Sequence, residues 1–282
     1  MKGQKSRKGF SLKSVMLFLV LTVLAILMFY PFWFMFIGGF RVTGQIMSTQ
    51  IRLLPENGFT FLDNFRRLFF ESLYLRAFFN TVFVSLTKTA ADIFFAGLAG
   101  FAFEKFEFPG RRGLFYFVVA TMMIPNTVTM VPLYVQMTRL GWVDTYLPLL
   151  IPGMISAYSI FIMRQYINGV PTEIIQYAKI DGCGDFRTYV SVVLPVVKPG
   201  LVVLFIIRFM STWNDFMWPL IILNDEKLYT ITVILRMFQG AFHFVDYGTI
   251  LAGSFVSALP MIFIFVVLRD RLLTGLVAGS VK

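Results

Sequence analysis

The chain contains one cysteine and one histidine among its 282 residues. A single cysteine, Cys183, excludes an internal disulfide framework, because each bond needs two thiols. Neither Cys183 nor His243 lies near other cysteines or within a metal-ligand cluster in the sequence. We therefore expect no metal site, no redox centre and no cofactor held by this chain.

Charged side chains are scarce as well, at 14% of the residues, whereas 57% are hydrophobic and 34 residues are phenylalanine. The mean hydropathy is +0.76, and a soluble domain cannot hide so much apolar surface, so the solvent expected for this chain is membrane lipid. The net charge of +10 is not gathered into a basic patch interleaved with aromatic residues. Nucleic acid is therefore not an expected partner.

The sequence also lacks the motifs of common catalytic sites. It has no Gly-x-x-x-x-Gly-Lys-Ser/Thr loop, which excludes that route to ATP hydrolysis. Its lone histidine falls in a loop predicted to lie outside the membrane, so no serine, histidine and acid arrangement is credible. An intramembrane enzyme would need a polar pair facing water, and Lys88 with Asp92 is the only candidate. We expect a protein that is not an enzyme.

Six apolar stretches are long enough to cross a bilayer, which predicts an all-α integral membrane protein with six transmembrane helices in one domain. They are Val15 to Ile37, Ala77 to Phe103, Leu114 to Gln136, Tyr146 to Tyr166, Leu201 to Leu223 and Thr249 to Leu268. The basic segment 1–14 favours a cytoplasmic N-terminus, and an even number of spans returns the tail, 269–282, to the same side. Loops 38–76 and 224–248 are then external.

Several spans contain residues that lipid disfavours. Lys88 and Asp92 lie one helical turn apart in the second span, and such charges face a partner, a cavity or each other. An ion pair between the two and a role in the transport pathway are equally good interpretations. The third and fourth spans contain prolines, among them Pro125 and Pro152-Gly153, which either line a central passage or simply kink the helices.

The most informative stretch is the polar island 171–200, predicted to be a cytoplasmic elbow between spans four and five. Helical spacing is found in Thr172 to Ile180, and Gly182 permits a turn after it. Asp185 is expected to cap a second short helix. That helix should end or kink at Leu194-Pro195.

This elbow resembles the EAA loop of ABC importer permeases, in which Glu-Ala-Ala is followed by a glycine and then by Leu-Pro. Here Gly182 and Leu194-Pro195 match, whereas Gln176-Tyr177-Ala178 replaces Glu-Ala-Ala. The resemblance implies that the elbow docks on an ATPase subunit. The implied docking residues are Glu173, Ile174, Ile175, Gln176, Ala178, Asp181, Gly182, Phe186, Leu194 and Pro195.

Three further segments are similar to the carbohydrate branch of that family, in its maltose-type second permease. The segment Trp213, Asn214, Asp215 and Phe216 is either an aromatic belt at the membrane interface or, as the resemblance implies, part of a substrate passage or gate. Lys88 and Asp92 are further candidates for that passage. The aromatic residues Phe242, His243 and Phe244 imply a contact with the binding protein. Gly279, Ser280 and Lys282 belong to a glycine-rich tail that meets the ATPase pair.

The resemblance implies a permease subunit of a bacterial importer for a sugar or oligosaccharide, located in the cytoplasmic membrane. Its implied partners are a second, distinct permease, two ATPase subunits that bind ATP and magnesium, and an extracytoplasmic sugar-binding protein. One alternative is an ion-coupled secondary transporter, which would use relays of acids inside the membrane. Another is an ABC permease for a solute that is not a sugar.

Overall fold

The computed structural model describes residues 12–48, 61–240 and 245–280, with 61, 62 and 270–280 described by backbone alone. Every regular element in these ranges is helical, which confirms the all-α class. The α-helices are α1 (Leu12–Gly38), α2 (Thr43–Ile46), α3 (Phe61–Phe70), α4 (Tyr74–Lys105), α5 (Arg111–Thr121), α6 (Asn126–Arg139), α7 (Leu147–Leu150), α8 (Ala157–Asn168), α9 (Thr172–Ile180), α10 (Asp185–Thr188), α11 (Leu194–Val196), α12 (Lys198–Trp213), α13 (Met217–Ile222), α14 (Ile231–Met237) and α15 (Tyr247–Ser280). Short 3₁₀ helices at Ile151–Gly153 and Glu226–Leu228 and a π-helical turn at Tyr189–Val193 complete the described elements.

Three helices in the described ranges are individually long and apolar enough to cross a membrane: α1, α4 and the first 23 residues of α15. Three bent pairs pass the same test only when their halves are taken together. The bend is 95° between α5 and α6, 40° between the α7 and α8 segments, and 82° between the α10–α11 segment and α12. By length and composition the chain therefore has three to six candidate spans.

The third predicted span is broken between α5 and α6, at one of the prolines that its sequence contains. Pro125 stands at the N-cap of α6 with φ −61° and ψ 133°, an extended conformation. Proline lacks an amide proton and disfavours helical backbone in the residue before it, which accounts for the end of α5. Pro132, in contrast, lies inside α6.

The fifth predicted span is also interrupted. Its helix α12 ends at Trp213, and α13 begins only at Met217. Before α12, the backbone at Val197 (φ −88°, ψ 8°) separates it from α11, so the elbow ends within two residues of the predicted Leu194-Pro195.

The chain divides into two compact units, and the first comprises residues 1–68 and 238–256. Within it the Asn64 amide donates to the carbonyl oxygens of Gly39 at 3.0 Å and Arg41 at 2.9 Å. A Cβ atom at Gly39 would lie 3.0 Å from the Ala252 Cα atom, so this glycine allows close packing of α1 and α15. Most of α1 is exposed and apolar, as expected of a helix surrounded by lipid.

The second unit comprises residues 69–237 and 257–282 and holds the predicted elbow. Its core joins α4, α8 and the elbow through buried side chains that include Phe101, Met163, Ile175 and Val193. Gly100 brings α4 against α8, because a Cβ atom there would lie 2.9 Å from the Arg164 backbone nitrogen and 3.0 Å from the Met163 Cβ atom.

We expect Gly100→Leu to lower the thermal unfolding midpoint of the detergent-solubilised protein. The added side chain must separate α4 from α8, and such overpacking costs about 1–3 kcal/mol. The matched control is Gly113→Leu in α5, where an added Cβ meets no atom within 4 Å. Equal midpoints for the two variants would contradict this account of the packing.

Candidate functional site

A cavity of about 720 Å³ lies in the second unit, where the broken helices meet α4 and α12. Its volume falls within the range of small-molecule pockets. Its lining includes Lys88 from α4, and Arg208 and Ser211 from α12. The break before α8 contributes Gly153 and Ser156, and the first turn of α8 contributes Tyr158. Asp215 and Trp218, which follow α12, complete this group. Residues from the α5–α6 break line it too.

An ion pair joins Arg208 in the cavity lining to a buried carboxylate behind it. The Asp92 side chain is completely buried, and its Oδ2 atom lies 2.8 Å from Nε of Arg208. The hydroxyl of Ser159 donates to the same carboxylate oxygen. Asp92 in α4 is thereby tied to α12 and α8, and it does not itself line the cavity. The interpretation of an ion pair between Lys88 and Asp92 is therefore wrong, because the close cation is Arg208.

Lys88 is half-buried and points towards the broken fourth span. An added Cβ at Gly153 would collide with Cε of Lys88, so this glycine leaves room for the lysine side chain. The carbonyl oxygen of Gly153 also lies 3.5 Å from Nη2 of Arg208. A backbone carbonyl that has lost its helical partner thus lies near a cationic donor. Within a bilayer such a carbonyl must be satisfied by protein or water.

The four residues of the predicted gate segment have different environments. Asp215 lines the cavity. Trp213 is 2% exposed, stacks on Phe209 at 5.5 Å, and donates from its indole nitrogen to the Ser257 carbonyl oxygen at 3.1 Å. It packs between helices and is absent from the cavity lining, as are Asn214 and Phe216.

The elbow has the predicted helix–turn–helix form. Helix α9 spans Thr172–Ile180, and Gly182 follows with φ +81°, a left-handed conformation that favours glycine. The amide of Gly182 donates to the Lys179 carbonyl oxygen at 3.0 Å, and that of Cys183 donates to the Ala178 oxygen at 2.9 Å. This pair of bonds is a Schellman motif, which ends the helix.

The second elbow helix begins differently from the prediction. Gly184 is the N-cap of α10, without a capping side chain, so the expected cap by Asp185 is wrong. Asp185 instead lies 3.1 Å from Lys179 across the turn. Both side chains are about half exposed, so this ion pair contributes little to stability.

The exposed apolar surface of the elbow overlaps only in part with the docking residues that the family resemblance implies. Ile175 and Ala178, two of the predicted docking residues, are buried at 5% and 8% exposure in the chain's own fold. The exposed apolar side chains are Ile174, Tyr177, Ile180 and Phe186. Neither Tyr177 nor Ile180 was predicted to dock, and both lie on the opposite side of α9 from Ile175.

The other predicted docking residues differ in exposure. Glu173, Gln176, Asp181, Gly182 and Pro195 are exposed. Leu194 is partly buried against the core of the second unit.

Comparison with known proteins shows the family of the chain. The family model described as binding-protein-dependent transport system inner membrane component matches residues 92–277, which include the elbow and most of the cavity. The chain belongs to this family. The resemblance to importer permeases is thereby confirmed, and the chain is a membrane transport subunit and not an enzyme.

Full-length relatives agree with this assignment. The maltodextrin transport system permease protein MdxG of Bacillus subtilis is 32% identical over 273 residues, covering 96% of this chain and 97% of that protein. The arabinooligosaccharides permease AraQ of Halalkalibacterium halodurans is 29% identical, covering 98% and 99%. The sn-glycerol-3-phosphate permease UgpE of Brucella abortus is 30% identical, covering 92% and 94%.

A solved structure shares the fold. It is a bacterial ABC transporter involved in the import of the acidic polysaccharide alginate. The TM-score is 0.81 at 21% sequence identity, and the match covers 95% of the chain described here and 99% of the chain in that structure.

Some predicted site residues of the permease fall where little is described. Phe242, His243, Phe244 and Lys282 lie outside the described residues. Gly279 and Ser280 belong to the last turn of α15, which is described by backbone alone.

The sequence analysis assigned no role to Arg208, although an arginine inside an apolar helix indicates a buried partner.

We expect Asp92→Ala to destabilise the permease strongly, because it leaves Arg208 buried without its carboxylate. Removing one partner of a buried ion pair costs about 3–5 kcal/mol. The double variant Asp92→Ala/Arg208→Leu should regain most of the thermal unfolding midpoint, since no unpaired charge remains. The measurement is a double-mutant cycle in detergent. Strictly additive losses would show that the two side chains do not act as a pair.

Proposed function

We propose that this permease imports a sugar or oligosaccharide across the bacterial cytoplasmic membrane, in a complex with a second permease, two ATPase subunits and an extracytoplasmic binding protein. Family membership and relatives whose names specify maltodextrin and arabinooligosaccharide transport support this. ATP and magnesium are bound by the ATPase subunits. Two states that bind ATP unequally would let nucleotide binding shift the passage between inward and outward opening.

The observation that carries the proposal is the exposed apolar face of the elbow. Ile174 is 42% exposed, Phe186 61%, Tyr177 66% and Ile180 80%, and all four lie within 13 residues. Their immediate neighbours Ile175 and Ala178 are buried, so the elbow is anchored on one side and free on the other. A short helix with an apolar face suits a groove on a partner protein.

The elbow also meets the helix that carries the charged residues. The ring of Tyr189 packs against Phe101 of α4, with 5.4 Å between centroids, and its hydroxyl fills the space beside Gly97. A force applied at the elbow therefore reaches α4 directly. This contact gives the ATPase a mechanical route to the cavity.

Six spans with both termini in the cytoplasm fit this function, because they place the elbow on the ATPase side of the membrane. The three long helices and the three bent pairs give up to six candidate spans by length and composition, which supports this number. The basic N-terminal segment favours that orientation. The loops 38–76 and 224–248 would then face the binding protein.

A labelling experiment tests this orientation in a Cys183→Ala background. We expect Asp181→Cys to react with a membrane-impermeant maleimide only after the membrane is opened, because the elbow is cytoplasmic. Glu226→Cys, in the loop after α13, should react in intact cells. Both positions are exposed, so access to reagent depends on the side of the membrane. Labelling of position 181 in intact cells would contradict the topology.

Docking is tested by the double variant Tyr177→Ala/Phe186→Ala. We expect recovery of the ATPase in co-purification to fall at least about tenfold, because aromatic anchors at interfaces contribute about 2 kcal/mol or more each. Tyr116→Ala is the matched control, a tyrosine of similar exposure on α5. Normal ATPase recovery and sugar uptake in the double variant would refute docking through this face.

Gly182→Val tests the turn separately. A Cβ atom at this position meets no atom within 4 Å, so the expected cost comes from the left-handed backbone. We expect the spans to insert and the second permease to bind, while ATP hydrolysis becomes uncoupled from uptake.

Gln176→Glu, which restores the family's carboxylate, should be tolerated. Uptake that persists without ATPase subunits and follows an ion gradient would support a secondary transporter.

A further inference from the structure

Family membership leaves the charge of the transported molecule open. Among the relatives, arabinooligosaccharides are neutral whereas sn-glycerol-3-phosphate is an anion. The cavity offers an independent criterion, because a site for an anion in a low-dielectric protein needs positive charge that no protein carboxylate neutralises.

The charged groups at the cavity are balanced in sign. Three charged side chains line it in the described part of the chain: Lys88, Arg208 and Asp215. A fourth, Asp92, stands directly behind Arg208 with 2.8 Å between Oδ2 and Nε. Two cations thus meet two carboxylates.

One cation contacts a carboxylate directly, and the other shares the cavity lining with one. Asp92 holds Arg208 by direct contact, so the guanidinium is not available to a substrate at full strength. Lys88 lines the same cavity as the carboxylate of Asp215. An anionic sugar would have to compete with Asp92 for Arg208 and would meet the repulsion of Asp215.

The remaining lining suits hydroxyl groups and sugar rings. Ser156 and Ser211 supply hydroxyls that both donate and accept hydrogen bonds. Tyr158 and Trp218 add aromatic rings. The indole nitrogen of Trp218 already donates to the Pro148 carbonyl oxygen at 2.8 Å, which fixes that ring.

We propose that this cavity takes an uncharged carbohydrate and that the Lys88 and Asp215 side chains set this preference by balancing each other. The inference rests on the proposed function, since it assumes that the permease transports a sugar. It assigns Lys88 and Asp215 to specificity, whereas Asp92 positions Arg208.

The experiment uses the complete transporter, reconstituted in liposomes with its ATPase subunits and binding protein. The probes are two neutral trisaccharides, maltotriose and arabinotriose, and two acidic ones, trigalacturonate and trimannuronate. We expect ATP-driven uptake of a neutral probe and none of the acidic probes. ATP-driven uptake of an acidic probe at a rate equal to or above that of the neutral probes would overturn the inference and leave sugar import intact. Assembled transporter that moves no sugar with ATP would overturn the proposed function itself.

Neutralisation of each charge in turn gives the second arm of the experiment. Asp215→Asn and Lys88→Gln each leave one charge uncompensated, so each should reduce uptake of the neutral probe at least tenfold. The double variant Lys88→Gln/Asp215→Asn restores the balance and should recover uptake to within threefold of the unmodified transporter. Glu107→Gln, which removes an exposed carboxylate outside the cavity lining, is the matched control.

Assembly is checked in every variant by the amount of second permease and ATPase recovered with it. Single variants that assemble and transport normally would overturn the role in specificity. The role in specificity would also be overturned if the double variant assembles but takes up the neutral probe no faster than the single variants, because the two charges would then act separately.

Discussion

One buried carboxylate organises the second unit of this permease. Asp92 of α4 contacts Arg208 of α12 and accepts a hydrogen bond from Ser159 of α8, so three helices converge on one side chain. A charge in that position is costly unless it is paired and hydrogen-bonded, and here it is both. The arrangement fixes the side of α12 that faces the cavity, and Arg208 reaches Gly153 on the broken fourth span.

The broken helices follow from the same constraint on polar groups. Within a bilayer, backbone carbonyls that lose their helical partners must meet a donor or water. The break before α8 places the Gly153 carbonyl oxygen near Arg208, and the Pro148 carbonyl oxygen accepts from the Trp218 indole at 2.8 Å. Irregular backbone, cations and an aromatic donor are therefore concentrated around one cavity, while α1 remains regular and apolar along most of its length.

Patterns local in sequence predicted much of this fold. The elbow helix Thr172–Ile180 and the turn at Gly182 follow from helical spacing and from the conformational freedom of glycine, which are properties of neighbouring residues. Partners far apart in sequence were not accessible to such reasoning. Asp92 has Lys88 one turn away but pairs with Arg208, 116 positions later, because the fold brings α12 alongside. Burial of Ile175 likewise depends on packing against other helices, so the apolar face of α9 did not reveal which side faces outwards.

The contact between Tyr189 and Gly97 has a consequence for how this protein and its relatives diverge. The tyrosine hydroxyl occupies the space that a Cβ atom at position 97 would need. A side chain at position 97 therefore requires the ring of Tyr189 to move or a smaller residue to replace it. Substitutions at these two positions, 92 residues apart in sequence, should arise together during evolution, and an alignment of relatives that keeps large residues at both would contradict that co-variation.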